Sequence, residues 1–197
     1  MIMDIQVVEQ TIFALASGVG KAGVAVFRIS GSSAKMALSV LAPKKILAPR
    51  RATRVRLIDP VSEEVLDEAL AIYFPGPASF TGEDVVELHV HGGRAVIAGI
   101  TEALNSIQGV RIAEAGEFTR RAFDNDKLDL TAAEGLADLI NAETAAQRRQ
   151  AQRQLRGDLG IIYDDWRRRL LKATALFEAE IDFSDEDYDF IKEGEVV

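Results

Sequence analysis

A strand that leads into a helix is predicted by the run Phe80-Thr-Gly-Glu-Asp-Val-Val-Glu-Leu-His-Val-His-Gly-Gly93. Apolar and polar residues alternate from residue 84 to residue 91, and Gly92-Gly93 then begins a helix to about Ile107. The alternation gives this strand a polar face with Val85, Glu87, His89 and His91 and a core face with Val86, Leu88 and Val90.

The polar face of this strand has two interpretations. Two imidazoles and a carboxylate two residues apart could hold a metal such as zinc. The more common alternative is a hydrogen-bonded polar face that lines a pocket. A buried Glu87 would need partners, and a ligand edge with adjacent N–H donors, such as a pterin or a guanine, would satisfy its two oxygens.

Other short apolar runs surround this strand in the first part of the chain. Strands are predicted at Thr11–Ala16, Gly23–Ile29, Arg54–Ile58, Leu66–Phe74 and Gly109–Ala113. Arg54–Ile58 and Leu66–Phe74 should pair as a hairpin around the turn at Asp59-Pro60, and Gly31-Ser-Ser33 offers a helix cap. Hairpins mixed with strand–helix units predict an α+β fold.

The composition changes near Gly116, after which nearly every window favours helix. Helices are predicted over Thr131–Ala142, with a capping box between Thr131 and Glu134, and over Ala145–Phe183. We place the domain boundary near Asp124-Asn125, which gives an N-terminal domain of residues 1–123 and a helical domain of residues 124–197.

The second predicted helical segment has an apolar stripe formed by Ile162, Trp166, Leu170, Ala173, Phe177 and Ile181. Few other helices are available in the sequence to cover it, and the end of the chain is dominated by acidic residues. We therefore expect that the chain is part of a longer protein or that its helices pair between chains.

Composition excludes several classes of protein. The 197 residues carry 23 Lys and Arg against 31 Asp and Glu, a net charge of −8, which is a poor basis for a simple nucleic-acid binder. Cysteine is absent, which excludes disulfide scaffolds and thiolate zinc sites within this sequence. No apolar run is long enough for a membrane span, and no secretory signal is visible at the start.

Two runs resemble phosphate-binding motifs but lack the neighbouring residues or elements that such motifs need. Gly18-Val-Gly-Lys-Ala-Gly23 matches the letters of a dinucleotide-binding loop, but it leads into a β-rich run where that site needs a helix. Gly20-Lys21 is followed by alanine and lacks the earlier glycine of a P-loop. Neither a dinucleotide site nor a P-loop is therefore expected here.

Several blocks of sequence together resemble one protein family, the tRNA modification GTPases called MnmE or TrmE. They are Phe27-Arg-Ile-Ser-Gly31, Tyr73-Phe-Pro-Gly-Pro77, Ser79-Phe-Thr-Gly-Glu-Asp-Val-Val-Glu-Leu88, His91-Gly-Gly93, Gly116-Glu-Phe-Thr-Arg-Arg-Ala-Phe123, Lys127-Leu-Asp-Leu130 and Ala179-Glu-Ile-Asp-Phe183. The blocks occur in order over essentially the whole chain, which makes this a much stronger signal than any single motif.

The resemblance implies an N-terminal α+β domain similar to the tetrahydrofolate-binding domain of aminomethyltransferases, followed by a helical domain into which a GTPase domain is inserted. It further implies a cytoplasmic homodimer that acts with the flavoprotein MnmG (GidA) on tRNA. Together the two proteins would add an aminomethyl or carboxymethylaminomethyl group to C5 of the wobble uridine. Hydrolysis of GTP with Mg²⁺ and K⁺ would drive the cycle of the full-length protein.

The resemblance also implies a site for 5-formyl-tetrahydrofolate. Its family residues correspond to Arg28, Glu87 and Lys127. Glu87 would bind the pterin, and Arg28 and Lys127 would bind carbonyl or carboxylate groups of the folate.

The chain departs from the family in two respects. A proline-rich lead-in of the family appears here as Ala16-Ser-Gly-Val-Gly20. The GTPase domain, the second half of the helical domain and a C-terminal lysine of the folate site are not found in this sequence. The resemblance thus leaves open whether the chain is an enzyme, and we expect no GTP hydrolysis by it alone.

Three hypotheses follow for the function of the chain. It is a folate-binding and dimer-forming module, or it is a dimerisation and docking fragment without independent ligand binding. A third hypothesis is direct tRNA contact through Arg148, Arg149, Arg153 and Arg156, although such basic runs are more often a solvated helix face.

Overall fold

The computed structural model of the chain describes residues 10–18, 20–43 and 45–182, except for the side chain of residue 180. The strands are β1 (Thr11–Leu15), β2 (Ala22–Ser30), β3 (Thr53–Ile58), β4 (Val65–Phe74), β5 (Val85–Gly92) and β6 (Val110–Ile112). The helices are α1 (Ala34–Leu41), α2 (Arg94–Asn105), α3 (Glu117–Asp124), α4 (Leu130–Asn141), α5 (Ala145–Leu155) and α6 (Asp158–Asp182).

The six strands form one mixed sheet in the order β3-β4-β5-β2-β1-β6. The predicted hairpin is confirmed, since β3 and β4 pair antiparallel with Thr53 opposite Ala71. The pair of β1 and β6 is parallel, with Thr11 opposite Val110, while β1–β2, β2–β5 and β4–β5 are antiparallel. A mixed sheet followed by helices confirms the α+β class.

One face of the sheet forms the hydrophobic core together with α1 and α2. Phe27 and Ile29 of β2 lie there beside the buried β5 residues Val86, Leu88 and Val90, as the alternation predicts. Arg28 and Glu87 alternate with these residues and therefore lie on the opposite face. The chemistry of interest is thus on the face of the sheet that the main core leaves open.

The helix after β2 begins at the predicted place but without the predicted side-chain cap. Ser33 is the N-cap residue of α1, and its hydroxyl makes no capping hydrogen bond. Its backbone N–H instead donates to the Thr11 hydroxyl at 2.9 Å. The cap is therefore supplied by contact with β1 and not by local sequence.

The chain divides into two compact units, Met1–Lys127 and Leu128–Val197. The first contains the sheet with α1, α2 and α3, and the second contains α4, α5 and α6.

The predicted capping box between Thr131 and Glu134 is wrong. The N-cap residue of α4 is Asp129, whose carboxylate accepts the backbone N–H of Ala132 at 2.7 Å and the Thr131 hydroxyl at 2.8 Å. An ionised Asp is as good an N-cap as Thr, and it starts the helix earlier. The reciprocal box occurs instead at the start of α5, between Thr144 and Gln147.

The predicted helix Ala145–Phe183 is two helices, and its last residue lies outside the described residues. α5 ends at Leu155 and α6 begins at Asp158, because Gly157 between them adopts a φ of +86°. This left-handed conformation is open to glycine and ends the first helix. The sequence did not predict this break, because the residues on both sides of Gly157 favour helix.

The second unit has a close helix contact and an exposed apolar face. A Cβ placed on Gly135 of α4 would lie 2.7 Å from the Leu155 backbone nitrogen, so α4 and α5 approach each other there through the glycine. Trp166, Leu170 and Phe177 of the predicted α6 stripe are all more than half exposed. Across the described residues, α6 and the other helices lack the length or hydropathy that a bilayer-crossing segment needs.

Candidate functional site

An ion pair between β2 and β5 forms the centre of the candidate site. Arg28 and Glu87 stand directly opposite each other in the strand pairing. Arg28 donates from Nε at 3.1 Å and from Nη2 at 2.9 Å, and both bonds go to Glu87 Oε1. The side chains are partly buried, with 29% of Arg28 and 19% of Glu87 exposed. Among the described residues, Glu87 Oε2 receives no hydrogen bond, so one carboxylate oxygen is available to a ligand.

Two phenylalanines flank the guanidinium of Arg28. Its Cζ lies 5.3 Å from the ring centre of Phe80 and 5.8 Å from that of Phe118. Both distances are within the range of cation–π attraction, which helps to hold the guanidinium in place. The rings also provide apolar surface for a flat ligand. Neither strand alternation nor helical periodicity in the sequence points to these two residues.

Lys127 lies against the loop that carries Phe80. Its Cε would be 3.1 Å from a Cβ built on Gly82, and Asn125 Nδ2 donates to the Thr81 carbonyl at 2.8 Å. The turn after α3 therefore packs against this loop, and the Lys127 side chain is exposed to solvent. The structure brings Arg28 and Glu87 into direct contact, and it places Lys127 beside the loop that carries Phe80.

A buried ionic cluster anchors α3 to the sheet. Glu117 is 1% exposed and accepts Arg111 at 2.8 and 2.5 Å and Arg121 at 3.0 Å. The hydrogen bonds from Arg111, followed by those from the Glu114 N–H and Arg121, lower the pKa of Glu117 to about 2 against the opposing effect of burial. Glu117 is therefore ionised at any physiological pH and fixes the start of the helix that carries Phe118.

The same cluster reaches the loop that carries Phe80. Arg121 donates to Glu83 Oε1 at 3.0 Å, and the other Glu83 oxygen accepts the Ser30 hydroxyl at 2.7 Å. The Ser30 and Thr81 hydroxyls are 2.7 Å apart. This chain of polar contacts links α3, the loop and β2, and so it sets the two rings around Arg28. The polar run Gly116-Glu-Phe-Thr-Arg-Arg121 therefore contains two buried charged residues, Glu117 and Arg121, because this network pairs them.

The two histidines of β5 have different surroundings. His91 is tied to Asp67 of β4, with Nδ1 2.7 Å from Oδ1 and its backbone N–H donating to Oδ2 at 2.7 Å. His89 Nε2 is 3.7 Å from Glu87 Oε2. In the part of the chain that the structure describes, no three His, Cys, Asp or Glu side chains are placed to hold a metal ion. The polar-face and the metal interpretations of this strand both stay predictions.

Two other candidates from the sequence lie apart from this site. The last two residues of the glycine-rich run, Ala22 and Gly23, already belong to β2, so the run enters a strand and not a helix, which agrees with the rejection of a dinucleotide loop. Arg148, Arg149, Arg153 and Arg156 are exposed along α5 and its C-terminal cap. Their role in tRNA contact stays a hypothesis.

Each of the two units matches a known protein family. Residues 11–127 match the family described as the N-terminus of the GTP-binding protein TrmE, and residues 130–197 match the helical domain of MnmE. The chain belongs to the TrmE (MnmE) family. The resemblance noted in the sequence is thereby confirmed.

Individual relatives of this TrmE-family chain have named activities. The chain is 60% identical over 178 residues to the tRNA modification GTPase MnmE of Parvibaculum lavamentivorans. It is 58% identical over 178 residues to the human mitochondrial 5-taurinomethyluridine tRNA synthase subunit GTPB3. Each alignment covers 90% of this chain, but only 41% of the bacterial and 36% of the human protein. The chain thus spans about two-fifths of the relatives that it matches.

Proposed function

We propose that this chain is the folate-binding and dimer-forming part of a GTPase that modifies tRNA, together with the first helices of its helical domain. The proposal is supported by the family to which both units belong and by the activities for which the relatives are named. The full-length protein would act in the cytoplasm with MnmG on C5 of the wobble uridine. Its cycle would use GTP, Mg²⁺ and K⁺.

The observation that supports ligand binding most directly is the Arg28–Glu87 pair. Arg28 takes up only one oxygen of Glu87, and the second is left for N–H donors. A pterin presents adjacent N–H groups on a flat ring, which suits both this oxygen and the neighbouring phenylalanine rings. 5-Formyl-tetrahydrofolate is therefore the ligand that we propose for this face.

The two cations have separate roles in this proposal. Arg28 orients Glu87 through two hydrogen bonds to one of its oxygens, and it has one remaining guanidinium nitrogen for a carbonyl of the ligand. Lys127 stands at the edge of the same loop and offers a mobile point charge for a carboxylate group. The pterin end would lie at Glu87 and the acidic end of the ligand nearer to solvent.

Isothermal titration calorimetry with 5-formyl-tetrahydrofolate tests the proposal. Glu87→Ala should weaken binding at least tenfold, because a charge-assisted hydrogen bond contributes roughly 1.5–3 kcal/mol. Glu102→Ala, which removes an exposed carboxylate on α2 of the same unit, should bind like the wild type. Far-UV circular dichroism would check that both variants fold.

Analytical ultracentrifugation on the same samples tests the dimer. We expect a mass of twice the 21.5 kDa chain. A dimer without measurable folate heat would support the docking-fragment hypothesis instead. Equal affinities of wild type and Glu87→Ala would contradict the assignment of the site.

A further inference from the structure

An unpaired nitrogen lies next to the available oxygen of Glu87. His89 Nε2 is buried and has no hydrogen-bond partner among the described residues. It lies 3.7 Å from Glu87 Oε2, which is too far for a hydrogen bond between the two. Most buried polar atoms in native proteins are paired, so an exception calls for an explanation.

The position of His89 suggests that a ligand supplies the missing partner. His89 and Glu87 are two residues apart on β5 and share its polar face. His89 also lines an open groove of about 340 Å³ together with Val24 and Leu70, so the space on one side of the imidazole is open to a bound group. The χ2 torsion of histidine is soft, which lets Nε2 turn toward a bound group.

We propose that His89 is a further ligand-binding residue of this site, and that Glu87 Oε2 and His89 Nε2 together bind one edge of a heterocycle that presents an N–H donor next to a carbonyl. The carboxylate accepts the N–H of the heterocycle, and the imidazole donates from Nε2–H to the carbonyl. The pyrimidinone ring of a reduced folate has such an edge. This inference rests on the proposed function and extends it to the recognition of the ring.

The stability of the free protein separates a ligand role from a structural role. If Nε2 is unpaired in the free protein, His89→Leu removes a buried polar atom without breaking a bond, and the Tm should stay the same or rise. If Nε2 has a structural partner, the Tm should fall. A fall of several degrees would overturn the proposal.

Ligand affinity provides the second measurement, in titrations of the chain with 5-formyl-tetrahydrofolate. His89→Leu should weaken binding about fivefold, which corresponds to one net hydrogen bond. His89→Gln, whose amide nitrogen can occupy a place similar to Nε2, should recover most of the affinity. The control is again Glu102→Ala, which removes an exposed side chain on α2 of the same unit and should bind like the wild type.

The outcomes distinguish this inference from the proposed function. Binding by the wild type with unchanged affinity in His89→Leu would overturn only the role of His89. An absence of binding by the wild type would overturn both proposals. Equal losses in His89→Gln and His89→Leu would show that the imidazole shape matters and not its nitrogen, and would also count against the inference.

Discussion

Replacing the buried carboxylate of Glu117 tests whether an ionic anchor holds α3 on the sheet. Glu117→Gln keeps the size of the side chain and removes its charge. Arg111 and Arg121, which both donate to the native carboxylate, would then face a neutral amide. The substitution should therefore destabilise the first unit, and the size of the loss should depend on pH.

The pH dependence follows from the lowered pKa. The ordinary value is 4.5 and the folded value is about 2. Because the folded pKa is the lower one, the carboxylate stabilises the fold fully above pH 4.5 and loses this effect as the pH falls toward 2. Linkage gives about 3 kcal/mol at pH 7 and less than about 1 kcal/mol at pH 2.5.

Urea unfolding at both pH values measures this difference, and hydrogen exchange of the α3 peptide assigns it to the helix. Tryptophan fluorescence alone would not suffice, because the single tryptophan, Trp166, lies in the second unit. Glu114→Gln is the matched control, since Glu114 is exposed and its 3.5 Å contact with Arg120 is a surface pair. The control should change the free energy of unfolding by less than about 0.5 kcal/mol.

Two results would refute this reasoning. The first is a loss in Glu117→Gln that is the same at pH 7 and at pH 2.5, which would indicate altered packing and not a lost charge. The second is an equal loss in Glu114→Gln, which would mean that charge in this region acts without specific contacts.

Four further substitutions test close contacts and a helix cap. Gly82→Ala should lower both stability and folate affinity, because its Cβ would press on the turn after α3. Gly109→Ala has nearly the same positive φ but lies in open space, so it should lose only about 1 kcal/mol of stability to backbone strain. Calorimetry compares the two variants, and equal losses of stability would contradict the packing argument. Gly135→Ala should destabilise the second unit, because the added Cβ would meet the backbone at Leu155, even though alanine gains about 1 kcal/mol in helix propensity. Tryptophan fluorescence measures the stability of this unit, and a rise in stability would disprove the close approach of α4 and α5. Asp129→Ala should cost about 1 kcal/mol at pH 7. The backbone N–H of Ala132 lowers the pKa of Asp129, so this cost should vanish as the pH falls below the ordinary range of Asp, and a loss that persists in acid would argue against the cap.

Local patterns were sufficient to predict much of the sheet. The alternation around Glu87 assigned the core face of β5 correctly, because Val86, Leu88 and Val90 all pack in the main core. Val85, which the alternation places on the polar face, is buried as well. The hairpin of β3 and β4 was equally local. The helix break at Gly157 was missed because helix propensity is favourable on both sides and only a single φ angle decides it.

The arrangement around the candidate site depends on contacts distant in sequence. Arg28 meets Glu87 across 59 positions, and Arg121 meets Glu83 across 38. No periodicity within β2 or α3 specifies these partners. The family resemblance pointed to Arg28, Glu87 and Lys127, but not to Phe80, Phe118 or the ionic cluster that positions them, which only the folded chain reveals.

The direct opposition of Arg28 and Glu87 has a consequence for how the sheet assembles. If β2 moved by one residue, Arg28 would turn toward the apolar side, and a guanidinium without a counter-ion would be enclosed there. Glu87 would at the same time face an apolar residue of β2. Mispaired intermediates are therefore penalised during folding, and exchanging this ion pair for two apolar residues should make the protein more prone to misalign and aggregate, whatever it does to ligand binding.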